Sequence, residues 1–414
     1  MRTSISRAGG LLFLAILLIA PLAHAGGKIQ ISDTKWISLG VGARMSFGLI
    51  EDDSPDRDNW SNDFRLENMR IYLNGQIHKY LKFEINTECQ DCPITGHAAS
   101  AHPGGHPGSS AEMVVLDAIA KFEFNPYFNI WAGRLLVPLD RAELSGPFYQ
   151  NTFDFDKTPF YPSDFGNPGA GVASAGRFGR DDGINIWGAF MDGKLSYVVG
   201  AFDGLDGVAN QDDNLLYAGR VSFNFLNVEK NPGYYTSSTY YGNGGDILTV
   251  AWAFNYQNDG SGTAMNPGNF FGHSTDLLFE KVLPNKGVAT VEGEYKVFDA
   301  DLSGSIRNGT DATTCFCMFD GDSYSVAALY LFPDKIGIGQ FQPYVRYTEN
   351  MSDIVGDAEE LEIGTNYVID GHNARLSLMW QHGDIATKGR IAKFGQAGNG
   401  GVVDAIKLGI QFQL

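Results

Sequence analysis

The chain has 414 residues, with 51 Gly, 28 Phe, 18 Tyr and a formal net charge of -18. That charge repels phosphates and excludes non-specific nucleic-acid binding. After the N-terminus no stretch is apolar for the ~20 residues that a membrane-crossing helix needs. Two classes remain, a secreted soluble β-protein and a β-barrel that crosses a membrane with strands.

Residues 1–25 read as a signal peptide. Arg2 and Arg7 form a basic start, Leu11 to Leu22 an apolar centre, and Ala23-His24-Ala25 a small-residue cleavage pattern. Without Arg2 and Arg7 the formal charge moves from -18 to -20. Residues 26–414 contain no heptads, fixed-period repeat or dividing linker and read as one domain.

Apolar residues recur at every second position in a series of segments, the signature of strands with one apolar face. In chain order these are Lys35–Leu49, Arg65–His78, Lys79–Glu88, Met113–Asn125 and Pro126–Leu135. Gly183–Met191 and Lys194–Asp203 follow across Asp192-Gly193, a hairpin signal. Then come Leu215–Phe225, Asp246–Gln257 (apolar on both faces, so of ambiguous phase), His273–Val282 and Gly287–Phe298. Gly321–Leu331, Gln340–Glu349, Ala358–Ile369 and His372–His382 lead to Val402–Leu414. In that last segment Ile406, Leu408, Ile410, Phe412 and Leu414 alternate with Lys407, Gly409, Gln411 and Gln413. A membrane barrel has to pair its final strand with its first, because an open edge in lipid leaves backbone groups unsatisfied.

The count is sixteen, and the expected fold is an all-β transmembrane antiparallel barrel of 16 strands, with 14–18 as the range. The connections alternate long and short, as expected for outer loops and periplasmic turns. The long ones are 50–64, 89–112, 136–182, 204–214, 258–272, 299–320, 350–357 and 383–401. One exception stands out: 226–245 should be a tight turn and is about twenty residues.

Three stretches resemble the phosphate-selective porin O and P family of outer-membrane porins. They are Phe64 to Ile85, the Gly133…Pro138…Leu144-Ser145 segment, and the hairpin Asp182–Phe190 with Leu195–Gly204. The resemblance implies a homotrimer of sixteen-stranded barrels in the bacterial outer membrane, with loop three folded into the lumen. Loop three, 136–182, is also the longest, and carries Phe148, Tyr149, Phe153, Phe155, Phe160, Tyr161 and Phe165. So many aromatics left in water would be unfavourable, so packing on the inner wall is expected, with a cap over the mouth as the alternative.

In that family basic residues at the constriction favour anions, because a narrow low-dielectric pore amplifies fixed charge. Here loop three and its flanks offer Arg134, Arg141, Lys157, Arg177 and Arg180 against Asp140, Glu143, Asp154, Asp156, Asp164, Asp181 and Asp182. The polar phase of the wall offers Arg44, Arg70, Lys82, Lys121, Arg220, Lys296, Arg346, Arg375 and Lys407. Against these stand Glu84, Asp117, Glu123, Asp276, Glu280, Glu292, Glu294, Glu360 and Glu362. The balance predicts weak selectivity or cation tolerance, unless Arg70, Arg220 and Arg346 gather on one side as a local anion track. The acid surplus falls in loops such as 51–56, where it solvates the surface or meets cations bridging lipopolysaccharide.

Cys89-x-x-Cys92 and Cys315-x-Cys317 both fall in outer loops, where disulfides are expected. Zinc is the competing reading, with His97, His102 and His106 nearby, although their spacing lies outside common finger patterns. No nucleophile elbow, phosphate-binding loop or zincin helix is present, and neither cofactor nor catalysis is expected. The function expected is passive diffusion of small hydrophilic solutes or ions across the outer membrane, with lipid and lipopolysaccharide around the barrel. The alternatives are a barrel that sheathes a periplasmic electron-transfer or transport partner, and an outer-membrane hydrolase assembled at the rim.

Overall fold

In the computed structural model, residues 27–54, 58–90, 113–159, 176, 178–207, 209–300, 319–353, 357–384 and 401–414 are described. The signal-peptide segment, Cys92, Cys315, Cys317, Arg177 and the three histidines near Cys92 lie outside them.

Each expected segment is a strand. They are β2 (Lys35–Ile50), β3 (Ser61–His78), β4 (Leu81–Gln90), β5 (Val114–Asn125), β6 (Phe128–Leu136), β7 (Arg180–Phe190), β8 (Leu195–Phe202) and β9 (Leu216–Asn224). There follow β10 (Ile247–Thr263), β11 (Asn266–Val282), β12 (Val288–Asp299), β13 (Gly321–Leu331), β14 (Gln340–Ser352), β15 (Ala358–Asp370), β16 (Ala374–Gly383) and β17 (Val403–Gln413). Consecutive strands pair antiparallel, and β17 closes on β2 from Ala405 opposite Ile50 to Gln413 opposite Gly42. Val41 and Leu414 exchange the last two backbone bonds, at 3.0 and 2.8 Å. The result is a closed sixteen-stranded antiparallel barrel.

Two features depart from the expectation. A short strand, β1 (Gly27–Ser32), precedes the ring and pairs with the first residues of β2, Gly27 opposite Leu39. It extends the β2 ladder just beyond the point where Leu414 leaves it. The expected outer loop 258–272 is not a loop, because β10 and β11 run on to a two-residue connection, with Thr263 opposite Asn266. Alternation is weak there, and the reversal itself is Ala264-Met265, with Gly262 (φ 87) still in the ladder opposite Pro267.

Period two is realised as two faces. Along β17, Ile406, Leu408, Ile410 and Phe412 are 39–44% exposed, whereas Ala405 and Gln411 are 1% exposed. The ambiguous β10 resolves in the same way: Trp252 and Tyr256 point outward, and Ala251, Ala253, Asn255 and Gln257 are buried. Outward aromatics collect at both ends of the strands, where amphipathic rings sit well at a membrane interface. Tyr217, Tyr256 and Tyr295 lie at the long-loop end; Tyr127, Phe190 and Tyr197 stack at the other, with centroids 5.7 and 5.8 Å apart.

Candidate pore constriction

Loop three leaves β6 and turns into the barrel. A one-turn helix, α1 (Arg141–Ser145), is capped by Asp140, whose carboxylate accepts from the Glu143 N–H at 2.9 Å, and ends at Gly146 with φ 62. Asp140 serves a second purpose: Lys296 Nζ on β12 lies 2.6 Å from it. Burial alone would raise the Asp140 pKa, but Lys296 and the cap bond outweigh it and hold the carboxyl below its ordinary range.

From α1 the loop crosses the wall. Phe148 sits under Arg70 at 5.1 Å and Phe153 under Arg44 at 4.4 Å, so these two loop aromatics cover guanidinium faces, while Phe160, Tyr161, Asp164 and Phe165 lie outside the described residues. Arg375 donates to the carbonyls of Gln150 (2.6 Å) and Thr152 (2.8 Å), and Arg346 donates to Thr152 Oγ1 and the Asp154 carbonyl. Asp154 accepts from Lys407 at 2.6 Å and from Gln381 at 2.7 Å, and Lys157 pairs with Glu360. The loop is therefore stitched to β2, β12 and β14–β17. Buried carbonyls need donors, and wall arginines and lysines supply them.

Most charges in the lumen are compensated. Arg70 pairs with Glu88 (2.5 Å), Arg180 with Asp117 (3.0 Å), Arg346 with Glu362 (2.8 Å), Lys121 with Glu84, and Arg220 with Asp276 (2.9 Å). Arg44 and Arg375 instead hold carbonyl and amide oxygens, and no carboxylate lies within ion-pair distance of either among the described residues. At β11–β12 the balance reverses. Lys296 faces Asp140, Glu143, Asp156 and Glu294 within 2.6–3.8 Å. Positive charge thus gathers on the β16–β2 side and negative charge across from it.

Of the basic residues singled out on loop three, its flanks and the wall, Arg44, Arg70, Arg141, Lys157, Arg180, Arg220, Arg346 and Arg375 are buried on the lumen side, as is Asp156, with Asp154 beside them. Arg134 is not. It shares the outward face with its opposite neighbour Asp182, in a two-pronged pair of 2.8 and 2.9 Å, with the two side chains 46% and 50% exposed. Asn129 and Trp131 are buried on the inward face, so regular alternation along β6 places Arg134 with Ile130 and Ala132 on the outward one. Nor do Arg70, Arg220 and Arg346 form one track: each is drawn to its own carboxylate on a different strand. Cys89 is disulfide-bonded, its partner lies outside the described residues, and the described residues contain no metal-type cluster.

The sequence reading missed one component. The over-long connection 226–245 also folds inward, from the short-turn end. Arg141 grips Glu229 through bonds of 2.6 and 2.8 Å and the Ser237 carbonyl at 2.9 Å. Burial would raise the Glu229 pKa, but Arg141 holds it at about 2. Ser238 N–H reaches the Tyr149 carbonyl at 3.0 Å. Glu280 receives Thr239 Oγ1, Tyr240 N–H and Gly242 N–H at 2.7–3.0 Å. Length was the only sequence signal for this component, since a tight turn needs two to five residues.

A closed barrel of this strand number, with an inward-folded loop and a charged lumen, defines the porin architecture. Solved structures of that kind are similar to the chain over nearly its whole length. The Salmonella typhi OmpF complex with daunomycin matches with TM-score 0.57 at 11% identity, over 94% of this chain and 100% of that one. The anion-selective porin from Comamonas acidovorans matches with TM-score 0.56 at 12% identity, over 92% and 100%. OmpT of Vibrio cholerae in its trimer form matches with TM-score 0.50 at 11% identity, over 92% and 100%. At such identities the likeness shows a shared fold. No family model and no curated protein matches the sequence.

Proposed function

We propose that this chain is a bacterial outer-membrane porin, exported by residues 1–25, that lets small hydrophilic solutes or ions diffuse passively with weak charge selectivity. The observation that carries the reading is the self-compensation of the lumen. In a closed barrel whose wall charges are matched by carboxylates, little net field is left to sort ions by sign. Compensation equally argues against phosphate selectivity, so the resemblance to the phosphate-selective porins extends to architecture and not to solute. No catalysis is proposed. The homotrimer implied by that resemblance agrees with the trimer form of the Vibrio cholerae protein. A sheath around a periplasmic partner fits less well, because the chain's own segments occupy the bore.

Planar-bilayer recording of the purified protein under a salt gradient tests this. The expected result is discrete conductance steps with a reversal potential near zero. A strongly anion- or cation-selective potential would overturn the selectivity, and silent membranes would overturn the channel.

A further inference from the structure

Resting on the channel reading, we infer that residues 226–245, and not loop three alone, set the size limit of the passage. A barrel of sixteen strands leaves an aqueous bore unless something fills it. Here inward residues are covered from β10 to β16: Asn255, Ser274, Lys296, Gln342 and Asn366 are each 0% exposed and Gln381 1%. The remaining side is covered too, with Arg70 8%, Lys121 6% and Asn185 0% exposed, while Lys82 keeps 34% exposure and Lys407 15%.

The 226–245 segment bounds this remaining side from the short-turn end. Tyr234 and Tyr235 project to the β5–β6 wall, where each ring centroid lies 5.3 Å from that of Trp131. Lys121 Nζ lies 3.7 Å from the Trp131 ring centroid and 5.5 Å from that of Tyr235. Tyr234 Oη is fixed from both sides, donating to the Leu136 carbonyl and accepting from Asn185 Nδ2, both at 2.8 Å. The segment is pressed so close that a Cβ on Gly233 would lie 2.4 Å from the Trp131 ring.

Its attachments link the other partial closures. Thr236 Oγ1 donates to the Arg141 carbonyl at 2.7 Å, joining the segment to loop three. His372, in the β15–β16 turn, meets the Thr239 carbonyl at 2.9 Å. The segment therefore spans the bore from β6 to β16. Glycines with positive φ flank the spanning part, Gly233 (57) on one side and Gly242 (78) and Gly245 (73) on the other. Positive φ at these points turns the chain into the barrel and out again.

The test compares the full-length protein with two variants, each checked for folding by heat-shifted mobility on gels. In the first, residues 227–245 are replaced by Asn-Gly, which suits a two-residue hairpin. In the second, Tyr234→Ala and Tyr235→Ala remove both rings and keep the connection. Single-channel conductance should rise about twofold or more in the first variant and by less in the second, because a wider bore passes more ions. The largest sugar admitted in liposome swelling should increase in the same order. Unchanged conductance and sugar cut-off in both folded variants, with the parent conducting, would overturn the inference and leave the channel reading intact. A silent parent with a conducting first variant would support the inference and overturn unassisted diffusion. Silence in all three would overturn both.

Discussion

Arg141 in α1 and Glu229 in the opposite connection, 88 positions apart, are held together by two side-chain bonds inside the barrel. Arg141 is 1% exposed and lies 3.4 Å from a second carboxylate, Asp276. It fastens two segments that enter from opposite ends.

That pair should respond strongly to removal of one partner. Arg141→Leu strands buried carboxylates, which typically costs about 3–5 kcal/mol. Arg141→Leu combined with Glu229→Leu should recover part of the loss. Unfolding followed by tryptophan fluorescence in detergent measures both. A single variant within about 0.5 kcal/mol of the parent would show that the bridge does not hold the segments.

Acid should loosen the same region through His372. Burial and the adjacent Arg375 push its pKa down from 6.5 to about 3, so the folded protein keeps it neutral. Its stabilising contribution is complete above pH 6.5 and is lost as pH falls from there toward 3. Glu229, held at about 2, loses its contribution over a lower range, from its ordinary 4.5 downward. His372→Gln should flatten stability between pH 6.5 and 3 relative to the parent. A parallel curve would assign the acid sensitivity elsewhere.

The outward face makes a separate prediction. Leu408 lies opposite Phe47 at the β17–β2 seam and is 44% exposed. If that face meets lipid, Leu408→Arg should cost about 2–4 kcal/mol, as charges at mid-membrane do. Reversible urea unfolding into vesicles reads this directly, and a neutral effect would place Leu408 outside the lipid.

Cys89 is bridged, so a thiol reagent should not label it in the folded, unreduced protein. Intact mass before and after reductant is the check. Labelling of Cys89 without reductant would contradict the bridge.

Much of this architecture was legible in the sequence, because a membrane barrel writes a local rule into it. Strand residues at every second position meet one environment, so Ile406, Leu408, Ile410 and Phe412 announce their face without reference to any distant residue. Loop three declared itself similarly, through aromatics too numerous for water. Tertiary structure alone decided how the interior is filled. Alternation tells which way Arg220 points but not that Asp276 awaits it, and it places Arg134 on the outward face without telling that Asp182 meets it there. The inward course of 226–245 was signalled only by excess length, since Tyr234, Thr239 and Glu229 find their partners on β6, β11 and α1, far away in sequence. Period and polarity act between neighbours along the chain, whereas pairing inside a closed cylinder depends on which strands face one another across it.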